Sequence, residues 1–285
     1  MNYRHAFHAG NHADVLKHVV LLAICDMLAA KPAPCFALDT HAGRGLYRLG
    51  SAAAQRTGEA EDGIALLLAE RPHEPAIKRY LAAVEACRAA HGADAYPGSP
   101  WLLAHALRGQ DRIACCELQP VEADALRANF AGDGRVVVHA RDGYGAIRAL
   151  LPPRHGTLRY GRGLVLVDPP YEAQLAEFDT ALAALNEVLA RWPTGTCALW
   201  YPVKRRRTLQ PFLRKAARLP TKSVLVSELL VRADDSPLRM NGSGLLLLNA
   251  PWKLDATLAP ALCALQDALG GAGTSHRVEW LRPPE

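Results

Sequence analysis

The sequence predicts an α/β fold in which a mainly parallel sheet lies between two layers of helices. From residue 99 onward, short apolar runs of strand length alternate with longer segments of helical periodicity. Strands that alternate with helices indicate a parallel sheet that is covered on both faces. The last two apolar runs, residues 222–231 and 244–249, are joined by a polar loop that contains glycine. This strand-loop-strand pair indicates that the last strand is antiparallel.

The size and composition of the chain are typical of a soluble globular protein. Its 285 residues permit one or two domains, and half of them are apolar. The net charge of +5 is compatible with a nucleic-acid ligand but not specific for one. The longest apolar run near the start, residues 19–25, is too short to cross a bilayer. Seven cysteines without a C-x-x-C pair, in a sequence with no signal peptide, predict reduced thiols and a cytoplasmic location.

The first predicted element is a helix that runs from Asn11 to about residue 30. Asparagine is a favourable N-cap, and Asp14 falls in the first turn. Apolar residues then recur on one face at helical spacing, namely Leu16, Val19, Val20, Ala23 and Met27.

Seven strands follow from the apolar runs, at residues 35–38, 112–117, 135–140, 163–167, 196–201, 222–231 and 244–249. Between them, helices are predicted from Ser99-Pro100, from Pro120, and over residues 144–151 and 174–191. Serine is a favourable N-cap and proline suits the first turn, so Ser99 is predicted to cap its helix.

Residues 48–97 do not follow this alternation of strands and helices. They are rich in alanine and read as helical over 59–71 and 75–91, with no strand between. We therefore predict a small helical subdomain at 48–97, inserted into a core made of residues 1–47 and 98–285.

The most specific motif is Asp168-Pro169-Pro170-Tyr171, which directly follows the buried strand 163–167. Ligands of α/β sheets bind beyond the carboxyl ends of the strands, where this motif lies. The Asp168 carboxylate and the Pro169 carbonyl could accept both hydrogens of a planar exocyclic amine and direct its lone pair toward a methyl donor. Tyr171 could stack on the base, since flipped bases are held between aromatic or apolar faces. The alternative is a proline-rich turn without function.

A glycine-containing turn, Asp39 to Gly45, follows the first strand, where the backbone could approach a cofactor closely. Glu117 ends the second strand, and a carboxylate there can bind both hydroxyls of a cofactor ribose. Such a residue normally follows the first glycine turn by ~20 positions. Here it follows Asp39 by 78 positions, but by 28 once residues 48–97 are removed. The insertion and the role of Glu117 therefore support each other.

Three further segments have both a functional and a structural interpretation. Asp142-Gly143 ends the third strand and could bind a cofactor adenine, or form a surface turn. The stretch from Tyr3 to His12 is rich in histidine and aromatic residues, which suits contact with a nucleotide. A metal site is not supported there, since no Cys or carboxylate cluster has the matching ligand spacing. Lys204-Arg205-Arg206-Arg207 could contact phosphates or be a solvated helix start.

With these motifs in place, the chain resembles the bacterial 23S ribosomal RNA adenine-N6 methyltransferases of the RlmJ type. The resemblance runs nearly end to end, although Arg44 stands where the family usually has a small residue. It rests on Tyr3 to His18, Leu38 to Gly43, Tyr96 to Pro100, Asp168 to Tyr171, Ala198 to Pro202 and Pro251-Trp252-Lys253.

The resemblance implies a Rossmann-like, seven-stranded methyltransferase sandwich that binds S-adenosyl-L-methionine. It implies that Asp168 is catalytic and that Tyr3 contacts the RNA. The cofactor-binding residues that it implies are His18, His41, Ser99, Glu117, Asp142, Gly143 and Asp168. Direct methyl transfer to a flipped adenine is then expected, without a metal, on 23S ribosomal RNA that is free or in an early assembly particle.

Two alternatives stay open at the level of sequence. One is a DNA adenine-N6 methyltransferase, which shares the Asp-Pro-Pro-Tyr motif. The other is a non-catalytic RNA-binding assembly factor, against which the intact set of Glu117, Asp142 and Asp168 argues.

Overall fold

The computed structural model describes residues 5–171, 175–237 and 240–284. Its centre is an eight-stranded sheet in the order β8-β6-β7-β5-β4-β1-β2-β3. The strands are β1 (Phe36–Asp39), β2 (Arg112–Glu117), β3 (Val136–Ala140), β4 (Gly163–Val167), β5 (Thr196–Val203), β6 (Val224–Leu230), β7 (Gly242–Leu248) and β8 (Ser275–Arg282). The predicted α/β fold class is confirmed.

The five strands from β5 to β3 are paired in parallel, so their carboxyl ends share one edge. β7 is antiparallel to both β5 and β6, as the strand-loop-strand pair predicts. The count of seven strands is wrong, because β8 adds an eighth, antiparallel to β6. Its sequence mixes charged and apolar residues without a clean alternation, as an edge strand permits.

Helices cover both faces of the sheet. They are α1 (His12–Ala29), α2 (Ala52–Thr57), α3 (Leu66–Glu70), α4 (Pro75–His91), α5 (Ser99–Ala106), α6 (Pro120–Asn129), α7 (Gly143–Leu150), α8 (Leu175–Arg191), α9 (Arg206–Ala216) and α10 (Leu254–Leu269). Successive strand residues such as Phe36 and Ala37 enter two different buried cores, one on each face. No helix in the described ranges is long and apolar enough to cross a membrane.

Helix α1 begins as predicted. The Asn11 side-chain oxygen accepts hydrogen bonds from the backbone nitrogens of Ala13 and Asp14, both at 3.0 Å. The expectation of a single apolar face is wrong, because every residue of the helix from His12 to Cys25 is buried. Helices α4, α5 and α10 and strand β7 pack around it. Polar residues of α1 therefore lie inside the protein, where they need partners.

Residues 48–97 contain α2, α3 and α4, with a π-helical turn at Glu61–Ala65. An antiparallel ribbon of Leu46–Arg48 and Ala95–Pro97 brings the two ends of this region together. Buried side chains of the region, such as Ile77 and Tyr80, belong to the same apolar core as α1. The helical character of 48–97 fits the expectation, and its separation as a subdomain stays a prediction.

Candidate active site

A cavity of about 720 Å³ opens at the carboxyl ends of the parallel strands. It brings together nine predicted site residues that are far apart in sequence. Tyr3, the tenth, lies outside the described residues. The nine that line the cavity are His18, His41, Ser99, Glu117, Asp142, Gly143, Asp168, Pro169 and Tyr171.

Asp168 follows β4 and is held by a buried lysine. Its Oδ2 atom lies 2.7 Å from Lys17 Nζ, which also lies 2.8 Å from Asp14 Oδ1. Burial alone would lower the pKa of Lys17, but the carboxylates of Asp14 and Asp168 raise it well above its ordinary value. The lysine is therefore a permanent cation between two carboxylates. No described residue donates a hydrogen bond to Asp168 Oδ1, which leaves this oxygen available at the cavity.

Asp14 connects this ion pair to the segment before α1. It accepts hydrogen bonds from His5 Nε2 at 2.9 Å and from the Gly10 backbone nitrogen at 3.0 Å. Burial would raise the pKa of Asp14, but His5 and Lys17 hold it well below its ordinary value. The charged network thus fixes residues 5–10 beside the cavity.

Glu117 organises the glycine turn after β1. Its two carboxylate oxygens accept hydrogen bonds from the backbone nitrogens of Gly43, at 2.9 Å, and Gln119, at 2.7 Å. Gly43 has a φ of 58°, a left-handed conformation that favours glycine. Burial raises the pKa of Glu117. Since each oxygen can accept more than one hydrogen bond, the carboxylate keeps acceptor capacity toward a ligand.

Asp39, the last residue of β1, is fully buried beneath the turn. Its Oδ1 atom accepts a hydrogen bond from the His41 backbone nitrogen at 3.2 Å, whereas Oδ2 has no well-formed hydrogen bond among the described residues. Burial raises the pKa of Asp39 to about 6, although the nearby Ser99 hydroxyl favours the charged form.

Ser99 is the first residue of α5 and Gly98 is its N-cap, so the predicted capping role of Ser99 is wrong. A Cβ atom on Gly98 would lie 3.0 Å from the Tyr47 ring and 3.1 Å from the Gly45 carbonyl oxygen, so this position suits glycine.

Asp142 and Gly143 begin α7 at the cavity wall. The Asp142 carboxylate caps the helix by accepting a hydrogen bond from the Gly145 backbone nitrogen at 2.6 Å. A Cβ atom on Gly143 would lie 1.9 Å from the Thr40 carbonyl oxygen. The start of α7 therefore approaches the turn after β1 closely enough to require glycine.

Tyr171 ends the Asp-Pro-Pro-Tyr motif with a positive φ of 49°. Its hydroxyl donates a hydrogen bond to the Trp200 carbonyl oxygen at 2.9 Å. Its ring packs on Phe178, with the two centroids 5.0 Å apart. Only 8% of Tyr171 is exposed, so the residue forms a fixed wall of the cavity.

His18 and His41 are held in neutral form. His18 Nδ1 lies 3.1 Å from the Tyr96 hydroxyl, and burial lowers the pKa of this histidine to about 3. The edge of the His41 ring meets Tyr144, with ring centroids 5.1 Å apart, and burial also lowers the pKa of His41. The Tyr144 hydroxyl in turn donates to Glu177 Oε1 at 2.6 Å across the cavity rim.

The sequence of this chain matches a known family. The family model described as "Ribosomal RNA large subunit methyltransferase D, RlmJ" matches residues 32–282. The chain belongs to this family. The resemblance that the sequence motifs predict is thereby confirmed.

Relatives of similar length agree with this assignment. The chain is 39% identical over 287 residues to the protein named "Ribosomal RNA large subunit methyltransferase J" of Haemophilus influenzae, covering 99% of each chain. It is 38% identical over 284 residues to the protein of the same name from Escherichia coli, again covering 99% of each. A crystal structure of a Legionella pneumophila protein superposes with a TM-score of 0.83 at 31% identity, covering 95% of this chain and 98% of that one.

In this member of the family, Lys17 and Asp14 complete the site although sequence reasoning missed them. Their signal is a charged pair three residues apart in a helix whose residues are mostly apolar. Tyr144 and Glu177 also line the cavity but were not predicted, and no spacing pattern in the sequence indicates them. Among the described residues, no group of three or more His, Cys, Asp or Glu side chains could hold a metal ion.

The basic run after β5 divides into two parts. Arg206 turns inward, where its Nε atom lies 3.1 Å from Oε2 of the buried Glu228. Lys204 and Arg207 are exposed at the surface. The run is therefore neither wholly structural nor wholly solvated.

Proposed function

We propose that this chain transfers a methyl group from S-adenosyl-L-methionine to the N6 amine of a specific adenine in 23S ribosomal RNA. The observation that carries the proposal is the pair of Asp168 and Lys17 at the cavity, next to the turns that follow β1 and β2. The substrate class follows from family membership, since the relatives are named as methyltransferases of large-subunit ribosomal RNA.

The cavity fits the cofactor. A volume of about 720 Å³ lies within the range of roughly 300–1,000 Å³ that is usual for small-molecule sites. Glu117 keeps acceptor capacity for ribose hydroxyls. Gly143, which lies close to Thr40, has no side chain, so the cofactor can approach the backbone at this wall of the cavity. We place the cofactor against His18, His41, Ser99, Glu117, Asp142, Gly143 and Asp168. When bound, S-adenosylmethionine supplies an electrophilic methyl group on a positively charged sulfur.

The residues of the chain then hold and orient the target amine. Asp168 Oδ1 accepts one hydrogen of the exocyclic amine, and the Pro169 carbonyl accepts the other. Both bonds draw the nitrogen lone pair out of conjugation with the ring. Once N6 carries the methyl group and sulfur has left as a neutral thioether, the surplus proton of N6 leaves to solvent. Lys17 binds Oδ2 and so fixes the rotation of the carboxylate, which makes Lys17 a positioning residue. Catalysis comes from this orientation and from preorganised charge.

Other residues at the cavity are proposed to contact the target adenine and the RNA strand that carries it. The fixed ring of Tyr171 offers a face on which a flipped adenine can stack. Tyr3 precedes residues 5–10, which the Asp14 network holds beside the cavity, and we assign it to RNA contact. The activity is proposed to be cytoplasmic and metal-independent, with free 23S RNA or an early assembly particle as substrate.

A methylation assay with labelled S-adenosylmethionine tests this proposal. The substrates are an unmodified transcript of a bacterial 23S rRNA and a duplex DNA of matched adenine content. We expect N6-methyladenosine in the RNA, little label in the DNA, and none in either with Asp168→Asn. Greater incorporation into DNA would support the DNA methyltransferase alternative. Absence of both cofactor binding and transfer would support the non-catalytic assembly factor.

A further inference from the structure

The segment that follows β5 concentrates the positive charge of the chain. Residues 204–222 contain eight lysines and arginines and no acidic residue. The whole chain carries +5, so the remainder of the chain has a net charge of −3. The basic character of this protein therefore resides in one segment, which comprises α9 and the turns on either side of it.

Only two of these eight cations have an acidic partner among the described residues. Arg206 binds the buried Glu228, and Lys215 Nζ lies 2.6 Å from Asp179 Oδ1. The other six have no ion pair in the described ranges and are Lys204, Arg205, Arg207, Arg214, Arg218 and Lys222. An exposed cluster of like charges repels itself, so it costs stability unless an anionic ligand binds there.

The unpaired arginines of α9 share one face. Leu209, Phe212, Leu213 and Ala216 are buried against the sheet. Arg207 and Arg214 are both exposed and lie seven residues apart, close to two full helical turns, with exposed Gln210 between them. Arg218 follows the C-cap of the helix and is exposed as well. At a rise of ~1.5 Å per residue, Arg207 and Arg214 lie roughly 10 Å apart along α9, and Arg218 continues this stripe just beyond the end of the helix.

The segment that carries the stripe follows a strand that lines the cavity. Lys204 follows directly after β5, whose Trp200 and Pro202 line the cavity. The inner face of α9 also reaches the motif loop through aromatic contacts. The Phe212 ring lies 4.7 Å from Phe178, which lies 5.0 Å from Tyr171. One side of α9 thus supports the cavity wall while the other side presents unpaired charge.

We propose that Arg207, Arg214 and Arg218, with Lys204 at the cavity end, bind the phosphate backbone of the RNA that flanks the target adenine. The inference rests on the proposed function in one respect, namely that the substrate is RNA. Arginine matches phosphate through its forked donors. The stripe offers charge and the polar Gln210, without a large exposed apolar side chain, which disfavours a protein partner. Such contacts fix the path of the strand without reading its sequence.

The test compares the triple variant Arg207→Gln, Arg214→Gln, Arg218→Gln with the wild type. Binding to an unmodified 23S rRNA transcript is measured over a series of salt concentrations, together with steady-state kinetics. Each lost phosphate contact lowers the slope of log K against log salt by ~0.7 for single strands, so we expect a slope smaller by about 2. Affinity at low salt should fall about tenfold or more, with a raised KM for RNA. The values of kcat and of KM for S-adenosylmethionine should stay unchanged.

Lys215→Gln is the matched control, because this cation lies on the same helix but is already paired with Asp179. It should leave the salt slope within error of the wild type. The single variant Arg214→Gln, with a slope change of ~0.7, keeps the test valid if the triple variant folds poorly. Unchanged slope and KM in the variants, with wild-type RNA binding intact, would overturn the inference and leave the stripe to solvent or a protein partner. If the wild type itself neither binds nor methylates the RNA, the proposed function fails instead.

Discussion

Lys17 Nζ and Asp168 Oδ2 lie 2.7 Å apart although 151 positions separate the two residues in the sequence. The lysine belongs to the first helix and the aspartate to the loop after β4, so one contact joins the first helix to the proposed catalytic aspartate. Because Lys17 is buried, its charge requires the carboxylates around it. The orientation of Asp168 therefore depends on the packing of α1.

Replacing Lys17 with methionine should destabilise the fold and abolish methyl transfer. The variant leaves Asp14 and Asp168 without their shared cation, and breaking a buried ion pair costs about 3–5 kcal/mol. Urea unfolding gives the free energy, and the RNA assay gives the rate. Lys215→Met is the control, since an exposed pair such as Lys215 with Asp179 contributes less than about 1 kcal/mol. Equal stability of the two variants would contradict the buried network.

Glu117→Gln should weaken binding of S-adenosylmethionine about ten- to a hundredfold. A hydrogen bond to a charged acceptor contributes roughly 1.5–3 kcal/mol, and the amide replaces one anionic oxygen with a donor. The donor would also face the Gly43 or Gln119 backbone nitrogen, which loosens the turn. Calorimetry measures the affinity. Glu122→Gln, a change at the cavity rim where Glu122 pairs with Arg44, is the comparison and should change affinity far less.

Gly143→Ala should distort the cavity, because the added Cβ would lie 1.9 Å from the Thr40 carbonyl oxygen. Overpacking of this kind costs roughly 1–3 kcal/mol of stability. We expect a lower melting temperature and weaker cofactor binding. Gly134→Ala serves as control, since a Cβ there meets nothing within 4 Å. A wild-type melting temperature in Gly143→Ala would show that α7 moves away from the turn at little cost.

Stability should fall as the pH drops below about 6.5. Burial lowers the pKa of His18 to about 3 and that of His12 to about 4, against an ordinary value of 6.5. Below pH 6.5 these two histidines therefore bind protons in the unfolded chain but not in the folded chain, which favours unfolding. Asp39, whose pKa is raised to about 6, opposes this trend, because below pH 6 the folded chain takes up its proton first.

The variant His18→Asn isolates one histidine in this balance. Between pH 7.5 and pH 5, removal of its titration should reduce the loss of stability by about 2 kcal/mol. Urea titrations of the cofactor-free protein at both pH values measure this difference. His73→Asn, at an exposed position, should leave the pH dependence as in the wild type. An identical pH dependence in His18→Asn would mean that His18 binds its proton at the same pH in the folded and the unfolded chain.

The sequence predicts the parallel part of the fold well because buried strands such as β4 are continuous apolar runs. It also places Glu117, Asp142 and Asp168 on one edge, since the carboxyl ends of parallel strands meet there. Helix α10 escapes prediction because Pro260 interrupts its pattern. The partner of Lys17 escapes because helical periodicity gives no information on what covers the helix.

The pattern of charges in the sequence also does not show which charged residues are buried and paired. The run from Lys204 to Arg207 is plain in the sequence, but its division is set by Glu228, a residue buried in β6. Only the fold shows that Arg206 turns inward while its neighbours remain unpaired. The placement of a single buried carboxylate thus separates a structural arginine from those available to a ligand.

The packing of α1 also bears on how the protein is made. Residues 12–25 of this helix are buried on all sides, and α10 is one of the helices that cover it. Their ends, Ala29 and Leu269, are 240 residues apart, which takes roughly 12–48 s to synthesise at about 5–20 residues per second. During that interval the apolar surface of α1 that α10 covers in the folded protein is exposed. The nascent chain must therefore protect its first helix until its last helix has emerged from the ribosome.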